Sequence, residues 1–442
     1  MPDRQTIFTL VHQHRIALLW LCLFLPLTSV HGAQPVVNGQ RHALHSQILD
    51  SERHYQVALP AAYHSYPAAR YPVLYIVDGD YQFHFVAGLL EQMAAIGEQI
   101  PPFILVGISD RGNSDYQRYM TPQPETDDAG EQQHGEADRF RAYIDQELIP
   151  RIEQQYRVND YRILAGHSLG GLFAISAMLR QPDRFSAYIA ISPSLWWADQ
   201  ALVAEARERF AQADPLAATL YMSVADERGM GVFALAETLD QQAPADLQWH
   251  FQRFRNENHG SVGLPSLRWA LQQEFADYPL TRERFYQHSQ PQQLVDYYQN
   301  LGQQLGFEPL LPVLALGNVL GYYQRLEDAE APEQLLKLSR SALPYSATLI
   351  ADLLAQQQLD QGEWQQALTH YRQRIEEDPA SVPGHWGAAK AYAGLEQPDQ
   401  SRSHFKQALE AALQQQIPQW QINQLRSEQR QLGADSAAKD ND

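Results

Sequence analysis

Between Tyr161 and Arg180 the chain passes from a buried strand through a glycine-flanked turn into a helix, and this junction limits the fold more than any other stretch. Tyr161 to Ala165 is largely apolar. Gly166-His167-Ser168-Leu169-Gly170 follows and has the pattern G-x-S-x-G. Leu169 to Arg180 then carries helical periodicity and stops before Pro182. A strand–turn–helix of this kind holds its serine in a strained backbone conformation, with the hydroxyl exposed at the C-terminal end of the strand. The flanking glycines are required because the turn packs against its neighbours and leaves no room for side chains. Ser168 is therefore the candidate nucleophile. The competing readings are a glycine-rich turn, or a hydrolase-like fold that has lost its chemistry.

The surrounding sequence alternates strands and helices. Residues 34–60 show period-2 alternation, clearest from His54 to Leu59, as antiparallel lead-in strands would. Tyr71 to Val77 is nearly all apolar, as a strand buried on both faces should be. It runs into Asp78-Gly79-Asp80, and the pattern predicts a helix from Val86 to Gly97. Phe103 to Ile108 reads as the next buried strand, followed by a long polar loop from Ser109 to Gly135. The stretch Glu136 to Tyr156 places Phe140, Ile144, Leu148, Ile152 and Tyr156 on one helical face. Strands at Ala187–Ile191, Thr219–Val224 and Gln248–Phe254 alternate with helices near 199–212 and 232–242. The expected class is α/β, a mostly parallel sheet flanked by helices, with its chemistry at the C-terminal ends of the strands.

A serine hydroxyl needs a base within hydrogen-bond reach and a third group to orient that base. On such a fold the chain order is serine, acid, histidine. His259, after the last strand and before Gly260, is the candidate base. The acid lies in the loop after Thr219–Val224, where Asp226 and Glu227 are adjacent and both remain open. Its task is to fix the imidazole tautomer and stabilise the imidazolium. An oxyanion needs two preorganised donors. One expected donor is the Leu169 amide, and the other is the Asp80 amide, in a loop where Gly79 permits close backbone approach. Trp196 and Trp197 end the strand after the elbow and are candidates either for stacking on substrate or for core anchoring. Arg118 is a candidate either for binding an anionic acyl portion or for tying its own loop down. This chemistry requires no metal and no cofactor.

From residue 280 onward buried strands vanish, and Gln- and Ala-rich helical segments take over. Leu359-Asp360-Gln361-Gly362 precedes a helix with Ala367 and Tyr371. Leu395-Glu396-Gln397-Pro398 precedes one with Phe405 and Ala408, and Pro344 and Pro379 close equivalent segments. A period of about 34 residues resembles degenerate tetratricopeptide helix–turn–helix repeats. The expected division is a secretory signal peptide over 1–32, the α/β part over 33–280, a helical repeat part over 281–420 and a polar C-terminal tail over 421–442. In the signal, Arg4 and Arg15 precede the apolar run Ile16–Val30, and Val30-His31-Gly32 offers a cleavage site. The expected location is periplasmic or extracellular, with no stable membrane span after cleavage. Cys22 is the one cysteine, so the mature chain would hold none, which excludes disulfides, thiol catalysis and cysteine–metal sites. The net charge of −19 is spread along the chain and argues against nucleic acid. The expected partners are a small-molecule ester and, through the helical part, a protein or a second copy.

Tyr71-Pro72-Val73-Leu74-Tyr75-Ile76-Val77-Asp78-Gly79-Asp80, Gly166-His167-Ser168-Leu169-Gly170-Gly171-Leu172-Phe173, Ser192-Pro193-Ser194-Leu195-Trp196-Trp197 and His259-Gly260-Ser261 together resemble the "putative esterase" branch of the α/β hydrolases. Within that branch they are most similar to the siderophore esterases of the enterochelin and ferri-bacillibactin type. The resemblance covers residues 40–280. It implies ester hydrolysis through an acyl-enzyme, with siderophore-type or aromatic acyl esters as substrates, and it favours Glu227 as the acid. Family members tend to carry an Arg-x-Asp-Leu-Thr-Pro-like run. Here Tyr119 and Met120 stand where Asp and Leu are expected, so specificity is not carried over through that loop. Acyl transfer by the same fold, and a repeat-based binding protein with a vestigial hydrolase part, are the alternatives.

Overall fold

A computed structural model describes residues 37–123, 134–212, 215–415 and 417–439. The expected signal peptide and Cys22 lie outside the described residues. Eight strands form one sheet: β1 (Gln40–Ser46), β2 (Ser51–Ala58), β3 (Tyr71–Val77), β4 (Ile104–Ile108), β5 (Val158–His167), β6 (Ala187–Ile191), β7 (Ala218–Val224) and β8 (Leu247–Arg253). Their spatial order is β1-β2-β4-β3-β5-β6-β7-β8. β2 pairs antiparallel with β1 and β4, and every pairing from β4 to β8 is parallel. After β3 the chain steps outward to β4, then returns to place β5 on the other side of β3. The order thus reverses between β3 and β5, where an open α/β sheet leaves a crevice at its C-terminal edge.

β3 is buried along its whole length. Val73, Tyr75 and Val77 enter one core with Phe140, Ile144, Leu148 and Ile152 of the amphipathic stretch. Leu74 and Ile76 point the other way, into a core with Val86, Leu90, Leu267 and Leu271. Each such aliphatic side chain contributes about 1.5–3 kcal/mol on full burial. The amphipathic stretch itself runs as helix at Ala137–Tyr143 and Ile149–Gln155, joined by a wider π-type turn at Ile144–Leu148. Pro150, just inside the second segment, has no N–H for the regular ladder, and a widened turn accommodates that loss.

Three expected boundaries are corrected. The helix after β3 spans Gly79–Glu91 and so begins at Gly79, not Val86. Asp78 caps it in the left-handed conformation (φ 58°), and a Cβ on Gly79 would fall 2.5 Å from the carbonyl carbon of Gly107. The segment after β4 is not all loop, because Asn113–Met120 is helical. The C-terminal segment is not a plain tail: a helix spans Gln419–Lys439, and its Ile422 and Leu425 enter a core with Phe405 and Ala408.

Beyond residue 280 all elements among the described residues are helices: Arg282–Gln287, Pro291–Leu305, Val313–Arg325, Ala331–Ala342, Pro344–Asp360, Trp364–Glu377, Val382–Gly394, Pro398–Gln414 and Gln419–Lys439. Pro344 opens its helix rather than closing the one before, where its missing N–H and fixed φ cost nothing. The core under Leu74 and Ile76 continues through Leu294, Tyr298, Leu316 and Leu335 to Leu349 and Leu354. Glu98 strengthens the join, its carboxylate accepting the Leu314 and Ala315 amides at 2.5 and 3.0 Å at the start of Val313–Arg325. From Ala355 onward the helices instead form two small cores of their own.

Candidate active site

Ser168 stands between β5 and the helix Leu169–Arg180 with φ 59° and ψ −119°. Its N–H donates to the Ile191 carbonyl at 2.9 Å, tying the elbow to the end of β6. A Cβ on Gly166 would lie 2.1 Å from the Gly170 carbonyl oxygen, and one on Gly170 would lie 2.7 Å from Val77. The pattern is therefore a packing requirement of this turn. The Ser168 hydroxyl is 3.1 Å from the Ser194 hydroxyl, its hydrogen-bond partner among the described residues.

The loops after β7 and β8 bring an acid and an imidazole together. His259 Nδ1 is 2.7 Å from Glu227 Oε2. The other Glu227 oxygen accepts from the Ser192 hydroxyl at 2.8 Å. Asp226 turns outward to Arg253 (2.6 Å), while its N–H donates to the Glu257 carbonyl and links the acid loop to the histidine loop. Of the two candidate acids, Glu227 meets the imidazole and Asp226 does not. Asn258 Oδ1 accepts the Gly260 and Ser261 amides, so the loop around His259 is held by its own side chains. The His259 ring lies against the ring of His167, which precedes Ser168, with centroids 4.5 Å apart. Burial, reinforced by the neighbouring His259, lowers the His167 pKa to about 4. His167 is thus a neutral ring packed against the His259 imidazole.

The Leu169 and Asp80 amides both lie in first turns of helices, where N–H groups have no intrahelical partner. The neighbouring Gly170 amide is occupied: it donates to the Tyr116 hydroxyl, which in turn donates to the His167 carbonyl. The Asp80 carboxylate accepts from Arg41 and Gln56 at 2.6 and 2.7 Å. Beside it, burial and the facing Asp110 carboxyl push the Asp78 pKa up to about 7.

The structure separates the two tryptophans. Trp196 is half exposed, whereas Trp197 packs on the core and donates from its indole N–H to the Pro122 carbonyl at 3.3 Å. Arg118 is engaged by Glu136, its Nε 2.6 Å from the carboxylate. The same carboxylate also pairs with Arg139 at 2.6 Å, so Glu136 is shared by two guanidinium groups, a contact of the kind the loop-tying alternative expects. Sequence reasoning missed Tyr116, Asp110 and the roles of Ser192 and Ser194. Asp110 and the two serines follow the ends of β4 and β6, so the strand-end criterion that selected His259 was available for them. Tyr116 sits in a helix that reads as polar loop.

A strained serine at a strand–helix elbow, an acid–imidazole pair on the next loops and a mostly parallel sheet define the class as α/β hydrolase. The family described as "Putative esterase" matches residues 46–260. A solved IroE-like serine hydrolase from Shewanella oneidensis is 30% identical, with 68% of this chain and 99% of that one covered and a TM-score of 0.58. The chain belongs to this esterase family. Ferri-bacillibactin esterase BesA of Bacillus subtilis is 34% identical over 149 residues, which is 30% of this chain and 50% of that protein. The chain spans about half the length, or less, of the first curated relatives it matches. An uncharacterised protein from Capnocytophaga ochracea, 16% identical, shares the fold over 88% of this chain and 99% of its own with a TM-score of 0.50. That span includes helices beyond the esterase match.

Proposed function

We propose that this chain is an exported serine ester hydrolase that works through an acyl-enzyme, with Ser168 as nucleophile, His259 as base and Glu227 as acid. The observation that carries the reading is the 2.7 Å contact between His259 and Glu227, made beside a serine held at φ 59°. In the first half-reaction the Ser168 oxygen attacks the ester carbonyl and its proton passes to His259 Nε2. The carbonyl π pair moves to the oxygen, where the Leu169 and Asp80 amides are the proposed donors. Collapse breaks the bond to the leaving alcohol, which takes the proton from His259. Water then repeats the sequence on the acyl-enzyme and regenerates Ser168. Glu227 keeps the Nδ1 proton in place and stabilises the imidazolium without accepting that proton. For the transfer, the hydroxyl hydrogen of Ser168 turns toward His259 Nε2 as the site tightens on substrate, while the oxygen keeps its contact with the Ser194 hydroxyl.

The substrate class we propose is a siderophore-type or aromatic acyl ester, on the strength of the relatives' activities and the half-exposed Trp196. Residues 33–280 form the catalytic part in this reading. The helices up to about residue 354 buttress the sheet face opposite the Phe140–Ile152 helix layer, and the later ones pack in cores of their own. Export rests on the leader-like sequence of residues 1–32. The test is hydrolysis of short p-nitrophenyl esters, with fluorophosphonate labelling, by the wild type beside Ser168→Ala. Both signals are expected to vanish in the variant, with turnover down about 10⁴-fold or more. A folded wild type that neither turns over nor labels would overturn the reading. A panel of siderophore, feruloyl and sugar esters then ranks substrates.

A further inference from the structure

The loop Ser192-Pro193-Ser194 is built more tightly than a strand end requires. Ser192 and Ser194 are both buried, at 0% and 2% exposure. The Ser194 N–H donates to the Ser168 carbonyl at 3.0 Å, and the Ser168 N–H donates to Ile191 at 2.9 Å, so the two segments grip each other by their backbones. Pro193 fills the other side: a Cβ on Gly171 would meet the Pro193 Cα at 3.0 Å. Ser192 takes a left-handed φ of 40°, which aims its hydroxyl at Glu227 while the same oxygen accepts the Ala225 amide at 3.1 Å. The Ser194 hydroxyl is thereby fixed 3.1 Å from the Ser168 oxygen, its hydrogen-bond partner among the described residues.

A buried hydroxyl must donate somewhere. For Ser194 the acceptor in reach is Ser168 Oγ, which leaves the proton of Ser168 itself free to turn toward His259. We propose that Ser194 is a further catalytic residue, whose hydroxyl donates to the nucleophilic oxygen and stabilises the charge that builds there. This rests on the serine-esterase reading above. As the Ser168 proton leaves for His259 Nε2 and the bond to the acyl carbon forms, Oγ carries partial negative charge, and a preorganised donor lowers that barrier. In deacylation the bond from Oγ to the acyl carbon breaks and Oγ departs with the electron pair until His259 returns a proton. The same hydroxyl serves that step. Both half-reactions therefore depend on Ser194, independently of the leaving alcohol.

The test is a series at position 194 read by two assays: fluorophosphonate labelling rate at Ser168, and kcat and KM for p-nitrophenyl esters. Ser194→Ala is expected to slow labelling and kcat together by about 10–100-fold with KM little changed, because the lost bond is to a charging atom. Ser194→Thr, which keeps the hydroxyl, is expected to recover most of the rate, and Ser194→Cys, a weak donor of similar shape, to fall between. Labelling and kcat of Ser194→Ala within about twofold of wild type would overturn the proposal while leaving the serine-esterase reading intact, since such a factor is below one hydrogen bond. So would a Thr variant as slow as the Ala variant, which would make the role one of shape. Should Ser194→Ala not fold by thermal melt, the Cys variant decides by the same criterion. A wild type that does not label at Ser168 removes the reading and this proposal together.

Discussion

The C-terminal edge of the sheet and the helical region beyond residue 280 treat local rules in opposite ways. At the sheet edge, three neighbouring strands end in non-glycine residues with positive φ: Asp78 after β3, Ser168 after β5 and Ser192 after β6. A partly buried imidazole there, His167, is held neutral against the His259 ring, and two carboxyls, Asp78 and Asp110, face each other. The helical region places its exceptions differently: Glu327 and Glu396 take positive φ in turns between helices, and the Asp352 carboxyl is buried beside Arg374. Its helices open on Pro291, Pro344 and Pro398 near their first turns, and apolar faces fill contiguous cores. Each strained residue costs on the order of 1–3 kcal/mol and persists where surrounding structure over-determines it. Positive φ also occurs elsewhere, at Asp50, Glu98 and Ala198–Gln200 for example, but at this edge it falls on the segments that carry the proposed nucleophile and oxyanion donors.

The largest expected effect follows from replacing the strained serine by the residue its backbone favours. Ser168→Gly is expected to abolish ester turnover, by about 10⁴-fold or more, for want of a nucleophile. It is also expected to raise stability by about 1 kcal/mol by relieving φ 59°, read as a higher midpoint in urea. A variant less stable than wild type would mean that the elbow stores no strain. Next, Glu227→Gln is expected to lower kcat by about 10²–10⁴-fold, whereas Asp226→Asn changes it by less than about threefold, since only the first touches the imidazole. Equal losses from both would erase the distinction between the two loop acids.

Truncations in the helical region sharpen the other half of the comparison. Leu349→Ala cuts the core shared with the sheet and is expected to cost about 2–5 kcal/mol of the stability of the whole unit. Phe405→Ala cuts an outlying core at a similar cost of about 3–5 kcal/mol. Its loss is expected as protease sensitivity of the last helices, with the labelling rate of Ser168 unchanged. Slower labelling in Phe405→Ala would mean that the far helices reach the site.

Much of this was legible in the sequence because it is local. β3 runs Tyr71–Val77 as its apolar stretch implies, and the helix Leu169–Arg180 starts at the elbow and stops before Pro182 as its periodicity implies. The serine candidate followed from the G-x-S-x-G turn, and the acid and histidine candidates from strand ends and chain order. What escaped was set by contacts between segments distant in sequence. Gly79–Phe85 is helical because Asp78 turns left-handed and Gly79 seats on Gly107, neither of which periodicity encodes. Gln419–Lys439 reads as polar tail, yet Ile422 and Leu425 find Phe405 across a turn. In the sequence, resemblance alone favours Glu227 over Asp226; the contacts that set the two apart, from Ser192 and Arg253, reach in from other segments.

The last test probes the strained edge through pH, without touching the proposed nucleophile. Asp78 is pushed up to about 7 by burial and by Asp110, against an unfolded-state value near that of an ordinary aspartate. Between about pH 4 and 7 the folded protein therefore keeps a proton that the unfolded chain has released, so this group's contribution to stability falls as pH rises through that window and levels off above it. Asp78→Asn keeps a residue that tolerates the left-handed cap, can donate to Asp110 and does not titrate. The variant is expected to match wild type at about pH 4 and to melt progressively higher than wild type toward about pH 8. Parallel Tm-versus-pH curves for the two proteins would show that no proton is shared at this end of β3. The strain of the catalytic edge would then be confined to backbone angles, with no electrostatic part.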